Sequence, residues 1–191
     1  MTEGSAIRER ALDATKHLVE DGGYEAVHMR DVVQGAGVSL GSLYRYFSGR
    51  DHLIAELQFQ WIGALSERRD PLPHEPSDRV AELIHQTCVS LAGSPRLGRA
   101  TVLALQSRDP AVQNCRRRVD NIFMSYFSEV VSDQPFSAAL VAEPLRLAWH
   151  GALTLWAQGH SNLTELDDCL QETARTLVAG ALARVAPATS S

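Results

Sequence analysis

Apolar residues recur at helical spacing along almost the whole chain of 191 residues, and no stretch shows the alternation of a half-buried strand. The first segment illustrates the pattern. It begins at Ser5, a candidate N-cap, and repeats Ile7, Ala11, Ala14 and Leu18 before a Gly-Gly pair interrupts it. Serine, threonine, proline and glycine punctuate the later segments at comparable intervals. The sequence therefore predicts an all-α protein.

Side-chain caps are expected where several helices begin. Ser39 would cap the third helix, and the spacing of a capping box, Ser48 with Asp51 and Thr164 with Asp167, would open the fourth and the last helix. Together these signals predict helices over residues 5–20, 29–35, 39–47, 48–69, 77–93, 96–108, 110–132, 138–159 and 164–185.

Composition excludes several classes of protein. No apolar run approaches the roughly eighteen residues that span a bilayer, and the N-terminus lacks the basic and apolar segments of a signal peptide, so we expect a cytoplasmic protein without a membrane partner. The three cysteines, Cys88, Cys115 and Cys169, fit neither a disulfide framework nor a zinc pattern, and we expect buried, reduced thiols. The net charge of −5 argues against a protein that coats nucleic acid, although it leaves sequence-specific binding open.

Residues 28–50 carry the clearest functional pattern. Two short helices are joined by a turn at Gly37, and Val32, Val33, Val38 and Leu43 would seal the angle between them, which is typical of a helix-turn-helix. From residue 32 to residue 50 there are two arginines and no acidic residue, a small basic island in an acidic chain. The segment predicts DNA binding.

The exposed face of the third helix offers hydroxyl and guanidinium donors for phosphates and bases, and a leucine that could meet a thymine methyl group. These side chains belong to Ser39, Leu40, Ser42, Tyr44, Arg45 and Tyr46. Gly41, without a side chain, would let the helix approach the DNA backbone. Residues 37–41 also satisfy the G-x-S-x-G pattern of hydrolases, but that nucleophile elbow requires a preceding strand, so we reject Ser39 as a nucleophile and expect no enzyme.

Residues 23–27, 29–32, 37–47 and 48–53 resemble the N-terminal domain of the TetR family of bacterial transcriptional regulators. The resemblance implies a homodimer whose third helices enter successive major grooves of a palindromic double-stranded operator. It also implies phosphate contacts from Arg30, Ser42, Tyr44 and Tyr46, base contacts from Leu40 and Arg45, and a phosphate clamp at Arg50, where the family usually has lysine. His28 departs from the family, which commonly places a threonine N-cap there, and histidine caps poorly.

The same resemblance divides the chain into a three-helix DNA-binding domain, residues 1–52, and a helical ligand-binding and dimerisation domain, residues 53–191. A wide apolar stripe on the last helix predicts the two-fold interface. Its candidate residues are Leu166, Leu170, Ala174, Leu177 and Ala181. Apolar and aromatic positions with a few polar neighbours are candidates for contact with a ligand, although core packing explains each of them as well. They are Trp61, Leu103, Gln106, Phe123, Phe127, Trp149, His150 and Leu153.

The effector is the least determined feature. Parts of the chain also resemble actinobacterial repressors of steroid and cholesterol catabolism, in which a steroid-derived acyl thioester relieves repression, so an apolar effector such as a lipid, steroid or acyl-CoA is expected. The basic run at residues 116–118 is either a solvated helix face or a site for an anionic thioester. A sensor of hydrophobic xenobiotics and a helical protein–protein adaptor without DNA binding remain alternatives. The sequence shows no cofactor pattern and no cluster of His, Cys and carboxylate side chains at metal-ligand spacing.

Overall fold

The computed structural model describes residues 3–66 and 71–185, and every regular element in these ranges is helical. The helices are α1 (Glu3–Gly22), α2 (Met29–Ala36), α3 (Leu40–Tyr46), α4 (Arg50–Ser66), α5 (Pro76–Gly93), α6 (Pro95–Ala104), α7 (Pro110–Val130), α8 (Ala139–Ala157) and α9 (Leu163–Val185), with a 3₁₀ turn at Tyr24–Ala26. The all-α prediction is confirmed over these ranges. The predicted end of the fourth helix at residue 69 lies outside the described residues.

Two helix starts differ from the prediction, at α1 and at α9. Ser5 lies inside α1, which is already helical from Glu3, so its hydroxyl does not cap the helix. At α9 the cap is Asn162 rather than Thr164, since the Asn162 side-chain oxygen accepts the backbone N–H of Glu165 at 2.9 Å. Asparagine is among the best N-cap residues, so this start is as well satisfied as the predicted one.

The start of α4 does not form the predicted capping box between Ser48 and Asp51. The helix begins at Arg50, and the Asp51 carboxylate instead accepts the Tyr24 hydroxyl at 2.7 Å. The backbone N–H of Ser48 donates to Nδ1 of His52 at 3.2 Å. His52 therefore takes the capping role that the sequence assigned to Asp51.

Gly37 makes the turn between α2 and α3, as predicted. Its φ of 61° and ψ of 42° lie in the left-handed region, and its N–H bonds back to the carbonyls of Val33 and Gln34. A left-handed residue at this position ends a helix and satisfies its last carbonyls, and glycine adopts it without strain. The turn thereby sets the angle at which α3 leaves α2.

One compact unit contains the described residues 3–66 and 93–119. In it α1 packs against α2, α3, α4 and α6. One hydrophobic cluster joins Val32 and Leu43 of the helix-turn-helix with Leu97, Ala100 and Ala104 of α6. The helix-turn-helix thus shares its core with α6. The predicted boundary between a DNA-binding domain ending at residue 52 and a ligand-binding and dimerisation domain starting at residue 53 is a functional division, and it stays a prediction.

The second unit contains residues 71–92 and 120–185. Its α8 and α9 pack closely along each other. Ion pairs stabilise the unit further: Arg79 of α5 binds Asp133, in the turn after α7, through two nitrogens at 3.1 and 2.9 Å, and His85 of α5 lies 2.6 Å from Asp167 of α9. Because His85 is bound to this carboxylate, the pKa of its ring is raised.

Two general expectations can be compared with this architecture. No helix in the described parts of the chain is long and apolar enough to cross a bilayer. Cys88 and Cys115 are buried, as predicted, but Cys169 is exposed. The prediction was wrong for Cys169 because the buried stripe of α9 runs through Leu166 and Leu170 and turns position 169 outward.

Candidate nucleic-acid interface

The start of α3 is fixed by its own serines. Ser39 is the N-cap, as predicted: its hydroxyl oxygen accepts the backbone N–H of Ser42 at 3.0 Å and lies 2.9 Å from the Ser42 hydroxyl. This N-cap position at a helix start gives Ser39 a structural role, in keeping with its rejection as a nucleophile. Behind the cap, Leu43 and Phe47 are fully buried and hold the helix against the core.

The opposite side of α3 faces away from the core. Leu40 is 42% exposed and Tyr44 is 51% exposed, although both are large apolar or aromatic residues that proteins usually cover. Arg45 is exposed beside them, and Tyr46 is half-buried with its hydroxyl directed at Gly4 of α1. The predicted base-contacting residues therefore lie on an open surface, whereas Tyr46 also belongs to the packing against α1.

Gly41 lies on this same open surface. A Cβ atom added there would have only the Ser39 hydroxyl oxygen nearby, at 4.0 Å, so the protein itself does not require glycine. Its backbone is also not in the left-handed region, since the described glycines with positive φ are Gly23, Gly37 and Gly159. The absence of a side chain at Gly41 is thus unexplained by the fold.

Two further candidates flank α3. Arg30 is exposed in the first turn of α2. His28 occupies the N-cap position of that helix in an extended conformation and makes no side-chain capping hydrogen bond, as expected for histidine.

Arg50 is held in place by three neighbours. Its guanidinium stacks 4.2 Å from the centre of the Tyr24 ring and lies 3.5 Å from Glu25 and 3.8 Å from Asp51. Tyr24 donates its hydroxyl to the same Asp51, and burial followed by this carboxylate raises the pKa of the tyrosine. The network orients the Arg50 side chain, for which the resemblance implies a phosphate contact. It leaves a third of that side chain exposed.

A second polar cluster, centred on Glu56 of α4, was not found from the sequence. The buried carboxylate accepts hydrogen bonds from Arg118 at 2.7 Å and from the Cys115 thiol at 3.3 Å, and Arg8 lies 3.7 Å from its other oxygen. The His52 ring, ahead of the thiol and the Arg118 guanidinium, lowers the pKa of Glu56 to about 2 against the effect of burial. The signal was an acidic residue with apolar neighbours in α4, but two of its partners, Cys115 and Arg118, lie 59 and 62 positions away.

The Glu56 cluster concerns two points of the sequence analysis: potential metal ligands and the basic run at residues 116–118. His52, Glu56 and Cys115 place potential metal ligands within 4.8 Å of one another, yet two arginines already neutralise the only carboxylate. Burial also raises the pKa of Cys115 to about 12, which opposes formation of the thiolate that a metal binds. Arg118, from the basic run, binds Glu56 and stacks on Phe59 at 3.6 Å, and 38% of its side chain remains exposed.

The candidate ligand contacts fall into both units. In the first, Trp61 and Leu103 are half-buried and Gln106 is exposed. In the second, Phe123 lies 4.3 Å from Phe127 and 6.5 Å from Trp149, measured between ring centres.

Polar groups border this aromatic cluster. His150 Nε2 lies 2.8 Å from Asp120 Oδ1, and Arg146 lies 3.7 Å from the other oxygen of that carboxylate. Leu153 is buried one turn further along α8. The structure therefore brings together the candidates of the second unit into an aromatic cluster with a charged rim.

Four of the five candidate dimer residues are buried within the second unit. Leu166, Leu170, Ala174 and Ala181 are at most 4% exposed, and Leu177 alone is partly open. The exposed apolar stripe belongs to α8 instead. It consists of Leu140, Pro144, Leu147, Gly151 and Leu155.

This stripe borders a groove between α8 and α9. The groove has a volume of about 410 Å³ and is lined on the α9 side by Thr176, Leu177, Gly180, Ala181 and Arg184. Both helices therefore contribute to an open apolar surface, on residues that mostly differ from the predicted ones.

Comparison with known proteins identifies a family match in the N-terminal part of the chain. Residues 11–57 match the family model described as bacterial regulatory proteins, tetR family. This range contains α2, the Gly37 turn and α3.

Relatives extend the similarity to most of the chain. The transcriptional repressor KstR of Rhodococcus jostii is 29% identical over 174 residues, which cover 90% of this chain and 82% of that protein. A TetR transcriptional regulator from Rhodococcus sp. RHA1 has the same fold, with a TM-score of 0.79 at 20% identity over 93% of this chain and 98% of that one. A Thermus thermophilus FadR, a TetR-family repressor solved with lauroyl-CoA, superposes with a TM-score of 0.72 at 20% identity, over 96% of this chain and all of that one.

Proposed function

We propose that this chain, whose residues 11–57 match the TetR family of bacterial regulatory proteins, is a DNA-binding transcriptional repressor released by an apolar small molecule. The observation that carries the proposal is the open side of α3, where Leu40, Gly41, Tyr44 and Arg45 are exposed together. A recognition helix holds one face against the core and presents the other to the groove, and α3 does both, with Leu43 buried on its inner face. Such a regulator would act in the cytoplasm, on double-stranded operator DNA.

We propose different roles for the residues around α3. Arg45 and Leu40 would meet base edges, because arginine donates to guanine and an apolar side chain contacts the thymine methyl group. Arg30, Ser42, Tyr44 and Arg50 would bind phosphates and fix the register. Arg50 enters this contact already oriented by Tyr24 and Glu25, so little side-chain entropy would be lost on binding.

A homodimer on a palindromic operator completes the proposal. Two-fold symmetry would place two copies of α3 about 34 Å apart, one helical turn of DNA. The exposed α8 stripe and the α9 side of the groove supply a largely apolar surface. Such a surface can pack against the same surface of a second copy across a two-fold axis. We therefore assign the interface to Leu140, Leu147 and Leu155 with Leu177 and Gly180, rather than to the buried stripe of α9.

The effector would be an apolar molecule such as an acyl-CoA, lipid or steroid. One similarity favours this class, because the Thermus FadR of the same fold was solved with lauroyl-CoA. The aromatic cluster of Phe123, Phe127 and Trp149, bordered by His150, would contact the apolar part. Repression would end because the ligand binds better to a conformation that fits the operator poorly.

DNA binding is tested with fluorescence anisotropy on the DNA upstream of the gene. Arg45→Ala should weaken operator binding by about 5- to 150-fold, the equivalent of about 1–3 kcal/mol, and Tyr44→Ala should weaken it less. Arg117→Ala removes the same charge from an exposed position outside α3 and serves as the matched control. If the Arg45 and Tyr44 variants bind like the parent, the assigned surface is wrong. If the parent binds no upstream DNA, a protein–protein adaptor becomes the better description.

A further inference from the structure

Gln58 of α4 is a buried polar side chain without a satisfied oxygen. It is 7% exposed, and its Oε1 has no hydrogen-bond partner among the described residues. A buried amide oxygen without a donor costs about 1–3 kcal/mol in mutational data, and native structures retain few such groups. An unsatisfied amide oxygen on the buried side of α4 calls for a function.

Glu56, two residues earlier, is a buried polar residue of α4 whose hydrogen bonds are satisfied, in contrast to Gln58. That carboxylate is bound by a guanidinium and a thiol and approached by a second arginine. The fold therefore contains donors for a buried acceptor on this helix, and they serve Glu56 rather than Gln58.

The position of Gln58 places it in an apolar interior. One turn earlier on the same side of α4, Ile54 belongs to the hydrophobic cluster with α6, and Ala55 belongs to a second cluster with Leu105 and Val112. One turn later, Trp61 packs against the first of these clusters and stays partly exposed. The amide thus lies in apolar surroundings, one turn from a partly exposed aromatic residue, and sites for apolar ligands are lined in this way, with a small number of polar groups that orient the ligand.

We propose that Gln58 is an effector-recognition residue, whose amide oxygen accepts a hydrogen bond from a donor on an otherwise apolar effector. An acyl thioester of coenzyme A fits this description, because its pantetheine arm carries amide N–H groups next to an apolar acyl chain. The inference rests on the proposed ligand-released repression and adds the residue and the polar group that it reads. It also places the anchor on α4, the helix that directly follows the recognition helix.

The test compares Gln58→Met with Gln60→Met in the full-length protein. Methionine has nearly the shape of glutamine and no amide, and Gln60 is an exposed glutamine on the same helix, so it controls for the chemistry of the change. Thermal unfolding is measured without ligand, and lauroyl-CoA binding is measured by isothermal titration calorimetry. Gln58→Met should raise the midpoint of unfolding by about 2–4 °C and weaken lauroyl-CoA binding about tenfold, whereas Gln60→Met should change neither.

Three results would overturn the proposal. A lower midpoint for Gln58→Met would mean that the amide is bonded within the protein, and an unchanged lauroyl-CoA affinity would mean that the ligand does not touch it. Absence of lauroyl-CoA binding to the parent would remove the thioester as the occupant. Operator binding by the parent without ligand is measured in parallel, and it separates these failures from failure of the repressor assignment itself.

Discussion

Replacing Gly41 with alanine separates DNA binding from folding, because the two respond to the added methyl group in opposite directions. In the free protein the new Cβ atom would meet only the Ser39 hydroxyl oxygen, at 4.0 Å, which is ordinary van der Waals contact. The residue is exposed within α3 and its φ is not positive. Nothing in the fold therefore opposes the substitution.

The magnitude for stability follows from helix propensity. Alanine is favoured over glycine by up to about 1 kcal/mol inside a helix, and Gly41 lies near a helix start, so we expect a gain of about 0.5 kcal/mol. For a chain of this size such a gain corresponds to about 1–2 °C in the unfolding midpoint. The stability of Gly41→Ala should equal or slightly exceed that of the parent.

The expected effect of Gly41→Ala on operator affinity is unfavourable, opposite to its effect on stability. If the backbone at Gly41 approaches the DNA, a methyl group would push α3 outward and lengthen its phosphate and base hydrogen bonds beyond useful distance. We expect operator affinity to fall at least about tenfold, the equivalent of about 1.4 kcal/mol.

Calorimetric unfolding and fluorescence anisotropy measure the two effects on the same samples. Gly93→Ala is the matched control, since a Cβ atom there meets no described atom within 4 Å and the residue ends α5 rather than belonging to α3. Unchanged operator affinity for Gly41→Ala would refute the orientation of α3 toward DNA. A lower unfolding midpoint would refute the packing argument instead.

Three further predictions concern the rest of the molecule. Because the pKa of Glu56 is about 2 in the folded protein and near 4.5 when unfolded, its contribution, roughly 3 kcal/mol at most, is complete above about pH 5 and is lost as the pH falls toward 2. Urea titrations should show a gap between parent and Glu56→Gln that narrows over this range, and a gap independent of pH would contradict the ion-pair network. For His85 the folded pKa is raised by Asp167, so its stabilisation is complete below about pH 6.5 and is lost as the pH rises through the raised value. His85→Ala should flatten the pH dependence of stability in that window, which proton-linked unfolding curves would show, and unaltered curves would exclude the pair as its source. Finally, Leu147, 64% exposed on α8, should be central to the dimer, so Leu147→Glu should yield monomers in analytical ultracentrifugation while Val89→Glu, 55% exposed on α5, should not. Dimers of unchanged strength in the Leu147 variant would place the interface elsewhere.

The sequence alone determined the part of this protein whose information is local. The Gly37 turn, the Ser39 cap and the inward-facing Leu43 lie within seven residues of one another, and each has a conformational preference of its own. Short-range chemistry of this kind predicts α3 and its exposed side without knowledge of any distant contact. The all-α fold follows for the same reason, since helical periodicity is a property of consecutive residues.

The tertiary structure decided what depends on partners far along the chain. Glu56 is an isolated acidic residue until α7 brings Arg118 to within 2.7 Å, and Gln58 becomes noteworthy only because none of the residues that the structure describes donates to its oxygen. The apolar stripe of α9 carried no sign of which neighbour covers it. In the fold Leu170 is buried within its own unit, and α8 presents Leu147 to the outside. Apolar burial has no direction, so a stripe predicts that a surface is covered, and only the packing of the helices decides by what.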